Sequence, residues 1–329
     1  MGRRLTSPFL LFVLFVAIAS AVTYTLPQDH WKKALPGTSM PSAVRDLLPT
    51  GKETSPGGAA MEDNKGIVIV PGYWHPYWHP YWYYWYPYPG TYIYKYAASE
   101  SQLHDDPNAS LFFLEKDLHP GAKMMLHFTR TAPAAAFVPR AVADSIPFSS
   151  KKLPEILTRF SLKPNSMEEA AMRKTLRECE ETAAEGETSG CATSLESMID
   201  FATSSLGTHD VRAVSTEVGK GGAEKQQYYT VVSAAGQSLA VGGKSVTCHA
   251  QSYPYAVFYC HATPAATKAY VVPLAGEDGS QVTAVAVCHA DTSAWNPRHL
   301  AFQVLKVKPG AVSVCHFLTQ DHIVWAPRK

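Results

Sequence analysis

Residues 245–263 read SVTCHAQSYPYAVFYCHAT and hold the first two of four Cys-His dipeptides in this chain. Adjacent residues of a strand point to opposite faces, so a dipeptide on a strand presents sulfur to one layer and an imidazole to the other. The cysteines could then cross-link one layer while the histidines offer nitrogen ligands on the opposite side. The dipeptides are separated by 10, 26 and 25 residues and stand at Cys248-His249, Cys260-His261, Cys288-His289 and Cys315-His316.

Two plainer explanations compete with this one. Zinc modules space their ligands by about two to five residues so that a short loop wraps one ion, and adjacent ligands with long gaps do not follow that spacing. The second alternative is a set of disulfide cysteines beside unrelated histidines. Four of the six cysteines are followed directly by histidine, which argues against coincidence without excluding it.

The N-terminus predicts export. Arg3 and Arg4 precede an apolar run over 9–19, and Ala19-Ser20-Ala21 resembles a cleavage site, so residues 1–21 are predicted to be a signal peptide. The apolar run is too short for a membrane span, and no later run is long enough. We therefore expect a secreted protein, located outside the cell, in the cell wall or in the lumen of the secretory pathway.

Two further features agree with an oxidising compartment. Six cysteines, an even number, predict up to three disulfides among Cys179, Cys191 and the four dipeptide cysteines. Asn108 opens a glycosylation sequon, Asn-Ala-Ser. The 29 basic and 28 acidic residues leave a net charge of +1 with no basic segment, so we expect no nucleic-acid partner and no anionic membrane surface.

The N-terminal third predicts segments without a packed core. Residues 22–72 are rich in Pro, Gly, Ser and charge and predict a flexible leader or pro-segment. Residues 73–96 form an aromatic tract in which Tyr-Trp-His-Pro recurs, and its prolines exclude helix and favour polyproline II. The tract could be an adhesive or linker arm, or its oxidisable rings could be a substrate. Residues 97–110 are predicted to be a linker.

Residues 111–325 have globular periodicity, followed by a short tail over 326–329. Ser166 with Glu169 predicts a capping box for a helix that ends near Glu180, and Thr193 with Glu196 predicts a second box for a helix that Gly207 stops. The flexible loop between the helices would allow Cys179 and Cys191 to form a disulfide across a helical hairpin.

Strand patterns dominate from residue 226 onward. The segments 270–274 and 282–288 are predicted to pair, as are 302–307 and 312–317. The segment 283–289 is apolar on both faces, which places its histidine in an interior where it needs a metal or a hydrogen bond. The sequence thus predicts an α+β fold: an antiparallel β core, as a closed or two-layered sheet, with a disulfide-stapled helical hairpin, preceded by a disordered leader.

These residues resemble the plant BURP-domain family. Its signature is four Cys-His dipeptides at the spacings found here. The blocks Leu111–Leu114, Asp117–Gly121, Cys191–Glu196, Tyr253–Tyr259 and Asp321–Trp325 are similar to other parts of the domain, so the resemblance covers residues 111–325.

The resemblance implies two kinds of function. Some family members are copper-dependent peptide cyclases that join a Tyr or Trp side chain to another atom of a core peptide in their own chain. Imidazoles suit Cu(II), and disulfide-bonded cysteines would not compete for it. The copper ligands and catalytic residues would then be His249, His261, His289 and His316. The candidate substrate residues in the tract would be Tyr77, Trp78, Tyr81, Trp82 and Trp85.

Other members are known only as secreted or wall-associated proteins linked to development and stress. The tract lacks the Gln that often marks a cyclase core, so the substrate could instead be a separate peptide. The non-enzymatic alternative is a protein bound to the cell-wall matrix, and a third is an accessory subunit of a wall polysaccharide hydrolase. His119, His127, His299 and His322 are predicted to be hydrogen-bonded structural histidines. The cysteine pairing within the dipeptides and the number of metal ions stay open.

Overall fold

The computed structural model describes residues 27–49, 60–63, 66–69, 112–130, 132, 134–182, 188–219, 226–233, 238–239, 244–263, 267–293 and 295–328. The predicted signal peptide, the aromatic tract and the sequon at Asn108 lie outside these residues. Within the described ranges, no helix is long and apolar enough to cross a membrane.

Seven α-helices and fourteen strands occur in the described ranges. The helices are α1 Pro27–Ala34, α2 Ser42–Arg45, α3 Arg140–Asp144, α4 Leu153–Arg159, α5 Met167–Glu180, α6 Leu195–Leu206 and α7 Leu300–Leu305. The first eight strands are β1 Ala60–Asp63, β2 Gly66–Ile69, β3 Phe112–Leu114, β4 Lys123–Leu126, β5 Thr188–Ala192, β6 Val211–Val214, β7 Glu217–Val218 and β8 Gln227–Val231. The others are β9 Ser245–Gln251, β10 Val257–Thr263, β11 Thr267–Gly276, β12 Gln281–His289, β13 Val314–Phe317 and β14 Ile323–Pro327.

Two antiparallel sheets form the core of the protein. One has five strands in the order β5-β10-β9-β14-β6, and the other has seven, in the order β3-β13-β12-β11-β8-β4 with β7 beside β12. A separate hairpin pairs β1 with β2. The predicted α+β class with an antiparallel β core is confirmed, and the predicted pairing of 270–274 with 282–288 appears as β11 and β12.

The sheets pack face to face. Val285 and Val287 of the seven-stranded sheet share one buried apolar cluster with Val324 and Ala326 of the five-stranded sheet. The opposite face of each sheet carries another cluster: Trp325 lies on the outer face of the five-stranded sheet, and the seven-stranded sheet has its own outer core. Because strand residues alternate between faces, β12 and β14 each contribute to two layers.

The helix starts agree with the sequence in part. Ser166 caps α5 by accepting a hydrogen bond from Glu169 N at 3.2 Å, but the Glu169 carboxylate accepts from Asn165 N. The predicted Thr193–Glu196 box of α6 is wrong by one residue. Ser194 is in the extended conformation of an N-cap and exchanges hydrogen bonds with Ser197, at 3.1 and 3.0 Å.

The predicted strand over 302–307 is also wrong, because α7 covers most of these residues. His299 starts the helix by accepting a hydrogen bond from Ala301 N at 3.1 Å, and Leu300 and Phe302 are buried beside it. Lys306 ends α7 in the left-handed conformation, with φ of 54°. The strand β13 pairs instead with β12 and β3.

Part of the predicted flexible leader is folded. Within 27–49, α1 and α2 bury Trp31, Leu35, Ala43 and Val44 in the core cluster on the outer face of the five-stranded sheet. Leu35 directly follows α1 and donates its backbone N–H to Trp31 O at 2.9 Å, so that the spacing of four residues puts both side chains on one apolar side of the segment.

The corrected cap of α6 predicts a stability difference. Ser194→Ala removes the acceptor for Ser197 N and should lower the free energy of unfolding by about 1 kcal/mol. Thr193→Ala is the matched control and should change it by less than about 0.5 kcal/mol. Urea denaturation of both variants measures the two values, and a larger loss for Thr193→Ala would restore the original assignment.

Candidate functional site

The four Cys-His dipeptides fall on neighbouring strand pairs. Cys248 of β9 lies opposite Cys260 of β10, and Cys288 of β12 lies opposite Cys315 of β13. Each opposed pair forms a disulfide, which settles the connectivity that the sequence left open. The sulfur atoms lie on the outer faces of the two sheets, one pair in each outer core.

The third disulfide joins the last turn of α5 to the sheet. Cys179 is bonded to Cys191, which lies on the edge strand β5 just before α6. The bond therefore ties a helix to the five-stranded sheet.

The histidines of the dipeptides point into the layer between the sheets. Each Cys lies opposite a Cys in an antiparallel pair, so the histidines that follow them lie diagonally across the two strands. For example, the residue directly opposite His249 is Tyr259. The rings of His249 and His261 are nearly parallel, with centroids 5.3 Å apart, and those of His289 and His316 are 5.7 Å apart. Each disulfide thus supports one stacked imidazole pair.

Two more histidines complete this arrangement, and the sequence did not assign them to it. His322, from the residue before β14, places Nδ1 3.1 Å from His249 Nδ1. His299, which caps α7, lies with its ring 4.8 Å from that of Trp295 and interacts electrostatically with His289. We call His249, His261, His289, His299, His316 and His322 the histidine cluster.

The other two candidate histidines lie elsewhere. His119 is exposed on a turn, where its Nδ1 is 3.0 Å from Pro120 O, and His127 is exposed after β4. In the sequence, neither spacing nor residue type distinguishes His119 and His127 from His299 and His322. Only the folded chain brings His299 and His322 to the layer between the sheets.

Burial lowers the pKa of five of the six histidines in the cluster and so favours their neutral form. The six side chains are between 2% and 8% exposed. Removal from water lowers the pKa of His249 and His289 well below the usual value, lowers the pKa of His316 to about 3 and lowers that of His299 to about 4. Repulsion between neighbouring imidazoles lowers the pKa of His249 further. Neutral imidazole is the form that binds metals.

The donor set of the cluster fits a metal in part. Among the described residues, no three or more His, Cys, Asp or Glu side chains are arranged so that they could together hold a metal ion. The nearest approach to a site is His249 Nε2 with His261 Nε2, 3.2 Å apart. Two nitrogens bound to one ion at about 2.0 Å each would be about 3 Å apart, so this pair fits two ligands of one centre. Imidazole donors without available thiolate suit Cu(II).

Aromatic rings surround the cluster. Tyr259 lies 6.0 Å from His261, Trp295 lies 5.1 Å from His289, and Phe112 lies 6.4 Å from His316, each between ring centroids. Phe112 is also the strand partner of His316 in the pairing of β3 with β13. The chain that follows the aromatic tract therefore enters the fold directly beside the cluster.

The fold and the site define a two-sheet β domain with cross-strand disulfides on its outer faces and a buried histidine cluster between the sheets. Residues 111–327 match the BURP domain, and the chain belongs to that family. It is 63% identical over 236 residues to rice BURP domain-containing protein 3 and 55% identical over 237 residues to the Arabidopsis thaliana BURP domain protein RD22, each match covering 71% of this chain.

The match to these two relatives spans only 54% and 60% of their own lengths. A more extended match is to rice BURP domain-containing protein 5, which is 46% identical over 304 residues, 92% of this chain and 87% of that protein. The relatives support a plant origin for the chain.

The two short-range disulfides offer a matched stability test. Both Cys179–Cys191 and Cys248–Cys260 have a sequence separation of 12, so the loop entropy that each removes from the unfolded chain is the same, about 3 kcal/mol. Cys248 and Cys260 are fully buried, so the Cys248→Ala/Cys260→Ala variant also loses core packing. Guanidinium denaturation should show a larger loss for this variant than for Cys179→Ala/Cys191→Ala. Equal losses would contradict a packed role for the core disulfide.

The buried histidines predict acid sensitivity of the metal-free protein. The pKa of folded His299 is about 4, below the ordinary 6.5, so the unfolded chain takes up this proton first as pH falls. The contribution of neutral His299 to the free energy of unfolding is fully present above pH 6.5. It is lost as the pH falls from 6.5 to about 4, by up to about 1.4 kcal/mol per pH unit. His299→Asn keeps a cap acceptor but does not titrate, so it should flatten the stability–pH curve in that window. The exposed His119→Asn is the control, and an equal effect from it would contradict the assignment.

Proposed function

We propose that this chain is a secreted protein that binds copper through the histidines of its Cys-His dipeptides and oxidatively cross-links Tyr or Trp side chains of its own aromatic tract. The observation that carries the proposal is the convergence of all four dipeptide histidines on one buried layer. His249, His261, His289 and His316 would hold the metal.

The surroundings of the cluster favour copper over a purely structural use of the imidazoles. Burial lowers the pKa of His249 and so favours its neutral form, and the His249–His261 pair has a nitrogen separation suited to one ion. His322 contacts the second nitrogen of His249, as the outer partner of a metal-binding histidine typically does. The disulfides keep all four dipeptide cysteines from acting as thiolate ligands.

When bound, copper supplies one-electron redox chemistry with dioxygen as the oxidant. The role of the protein is to position the aromatic ring and to exclude water from the reacting groups. Each cross-link removes two hydrogens from the peptide, and dioxygen takes up the electrons and protons.

The covalent connection of the tract to the domain supports a substrate in the same chain. Tyr96, the last residue of the tract, lies 16 residues before Phe112, and an extended chain of that length spans at most about 55 Å. Phe112 lies beside His316, so the tract is tethered at the cluster. The candidate substrates are Tyr77, Trp78, Tyr81, Trp82 and Trp85.

The test uses the full mature chain with its disulfides intact and its metals removed by a chelator. Cu(II) titration, followed by calorimetry and by nitrogen hyperfine coupling in the EPR spectrum, should show stoichiometric binding to imidazoles. After incubation in air, mass spectrometry of the peptide covering 73–96 should show a loss of two hydrogens per cross-link. Both signals should disappear in His289→Ala/His316→Ala.

A matched control separates cluster histidines from surface histidines. His119→Ala/His127→Ala removes two exposed imidazoles and should retain both copper binding and the mass loss. Copper binding without a mass change would refute the tract as substrate and direct the search to a separate peptide. The absence of copper binding by the folded protein would refute the enzyme proposal.

One observation favours a second candidate function. His249 lies at hydrogen-bond distance from both His261 and His322, as a purely structural core would require. In that case the chain is a matrix protein of the plant cell wall, with the aromatic tract as an adhesive or cross-linkable arm. Binding of the metal-free protein to isolated wall polysaccharide, unaffected by His289→Ala/His316→Ala, would support this function.

A further inference from the structure

We propose that residues 27–49 form a clasp, a peptide that docks on the outer face of the five-stranded sheet and stays bound when the chain between residues 50 and 111 is cut. The BURP domain would thus contain a peptide-docking site for its own N-terminal segment, and the aromatic tract would be held at both ends. This inference does not depend on copper binding.

The clasp buries a continuous apolar side. Trp31 of α1 and Leu35, the residue after α1, are 3% and 1% exposed, and Val44 of α2 is fully buried. The Trp31 ring lies 5.5 Å from that of Trp325, the central residue of β14. The same cluster includes Met198 of α6, so the clasp packs on a helix and a sheet at once.

Specific polar contacts fix the middle of the clasp. Trp31 Nε1 donates to Thr38 O at 3.0 Å, which closes the segment into a compact loop. Thr38 Oγ1 then donates to Val211 O at 2.8 Å and accepts from Arg328 Nη2 at 2.9 Å. Arg328 Nη2 also donates to Gly37 O. One end of the strand pair β6 and β14, where Val211 begins β6 and Arg328 follows β14, therefore recognises one turn of the clasp.

The C-terminal end of the clasp is anchored separately. Phe137 N donates to Leu47 O at 2.9 Å, and Asp46 forms an ion pair with Arg130 at 2.5 Å. Ala43 N donates to Ser215 Oγ at 3.4 Å. The docked segment thus has an apolar centre and backbone hydrogen bonds along its length, which is the pattern of a bound peptide.

The clasp is too short to fold by itself. Helices of 8 and 4 residues are far below the length at which isolated helices are stable in water. Its structure must come from docking, so the segment behaves as a ligand that folds on binding. No cysteine precedes Cys179, so no disulfide can retain the clasp.

Docking at both ends changes how the tract meets the cluster. The chain from residue 50 to residue 111 becomes a closed loop, held by the clasp on one side and by Phe112 beside His316 on the other. Tethering raises the local concentration of a segment to the millimolar range without any contact of its own. A single cut in the loop would leave the tract attached, so its release requires two cuts.

The test introduces a specific protease site between Gly57 and Gly58 of the full-length chain and cuts the purified protein. In non-denaturing gel filtration, the N-terminal fragment should co-elute with the domain in a 1:1 ratio and should separate only in denaturant. Separation of the fragment in native buffer would overturn the proposal. An uncut chain that elutes as a dimer would overturn docking within one chain.

Variants then locate the contact. Trp31→Ala should speed dissociation of the cut fragment by at least about 100-fold, and Thr38→Val by about 10-fold. Lys33→Ala, on the exposed side of α1, is the matched control and should leave the rate unchanged. Arg328→Ala changes the domain side alone and should match Thr38→Val. Circular dichroism of each uncut variant identifies any that fails to fold, and an effect of Lys33→Ala equal to that of Trp31→Ala would contradict the docking surface.

Discussion

The opposition of cysteine to cysteine across two strand pairs is the constraint on which the site depends. Side chains alternate with period two, so a slip of one residue in β9 or β13 would turn the histidines outward and the cysteines inward. A disulfide between directly opposed residues prevents that slip covalently. Because the bonds lie on the outer faces, they fix the register without occupying the layer where His249 and His316 meet.

Burial of the six imidazoles costs free energy, and this cost explains the geometry of the histidine cluster. Six imidazoles are removed from water, and each can remain uncharged only if its ring nitrogens find suitable neighbours. His249 lies between His322 and His261 and has a single proton in its neutral form, so it can donate to only one of them. The tautomers of the three rings are therefore coupled. With the proton on His249 Nδ1, Nε2 becomes free to act as a ligand on the side of His261.

The sequence predicts which face of a strand each side chain lies on, but it does not predict which strands lie next to each other. Alternation alone placed Cys248 and His249 in different layers, and turn residues predicted the pairing of β11 with β12. The partners of the cysteines depend on which strands meet, and β13 reaches β12 only after a long connection that contains α7. For the same reason His299 and His322, which have no local signal, could not be assigned to the cluster in advance.

Where the sequence prediction was wrong, single contacts determined the secondary structure of the segment. The segment 302–307 is predicted to be a strand, yet the cap at His299 and the buried Phe302 favour a helix that covers residues 302–305. Residues 27–49 have the Pro-rich composition of a leader, but Trp31 and Leu35 find an apolar surface that only the completed five-stranded sheet provides. Composition indicates whether a segment would fold in isolation. A prediction of disorder from composition is wrong where a distant surface supplies the missing apolar contacts.

The position of β3 suggests how the buried cluster could open to a substrate under the proposed function. This strand has three residues, pairs with β13 alone among the described strands, and places the ring of Phe112 beside His316. A short edge strand is among the elements that open at low free energy, because few hydrogen bonds hold it. The chain that continues upstream from β3 is the one that carries the aromatic tract. Under the proposed function, detachment of β3 would therefore uncover His316 and release the chain that leads to the tract in one movement, so that access to the site and delivery of the tract would be a single conformational event.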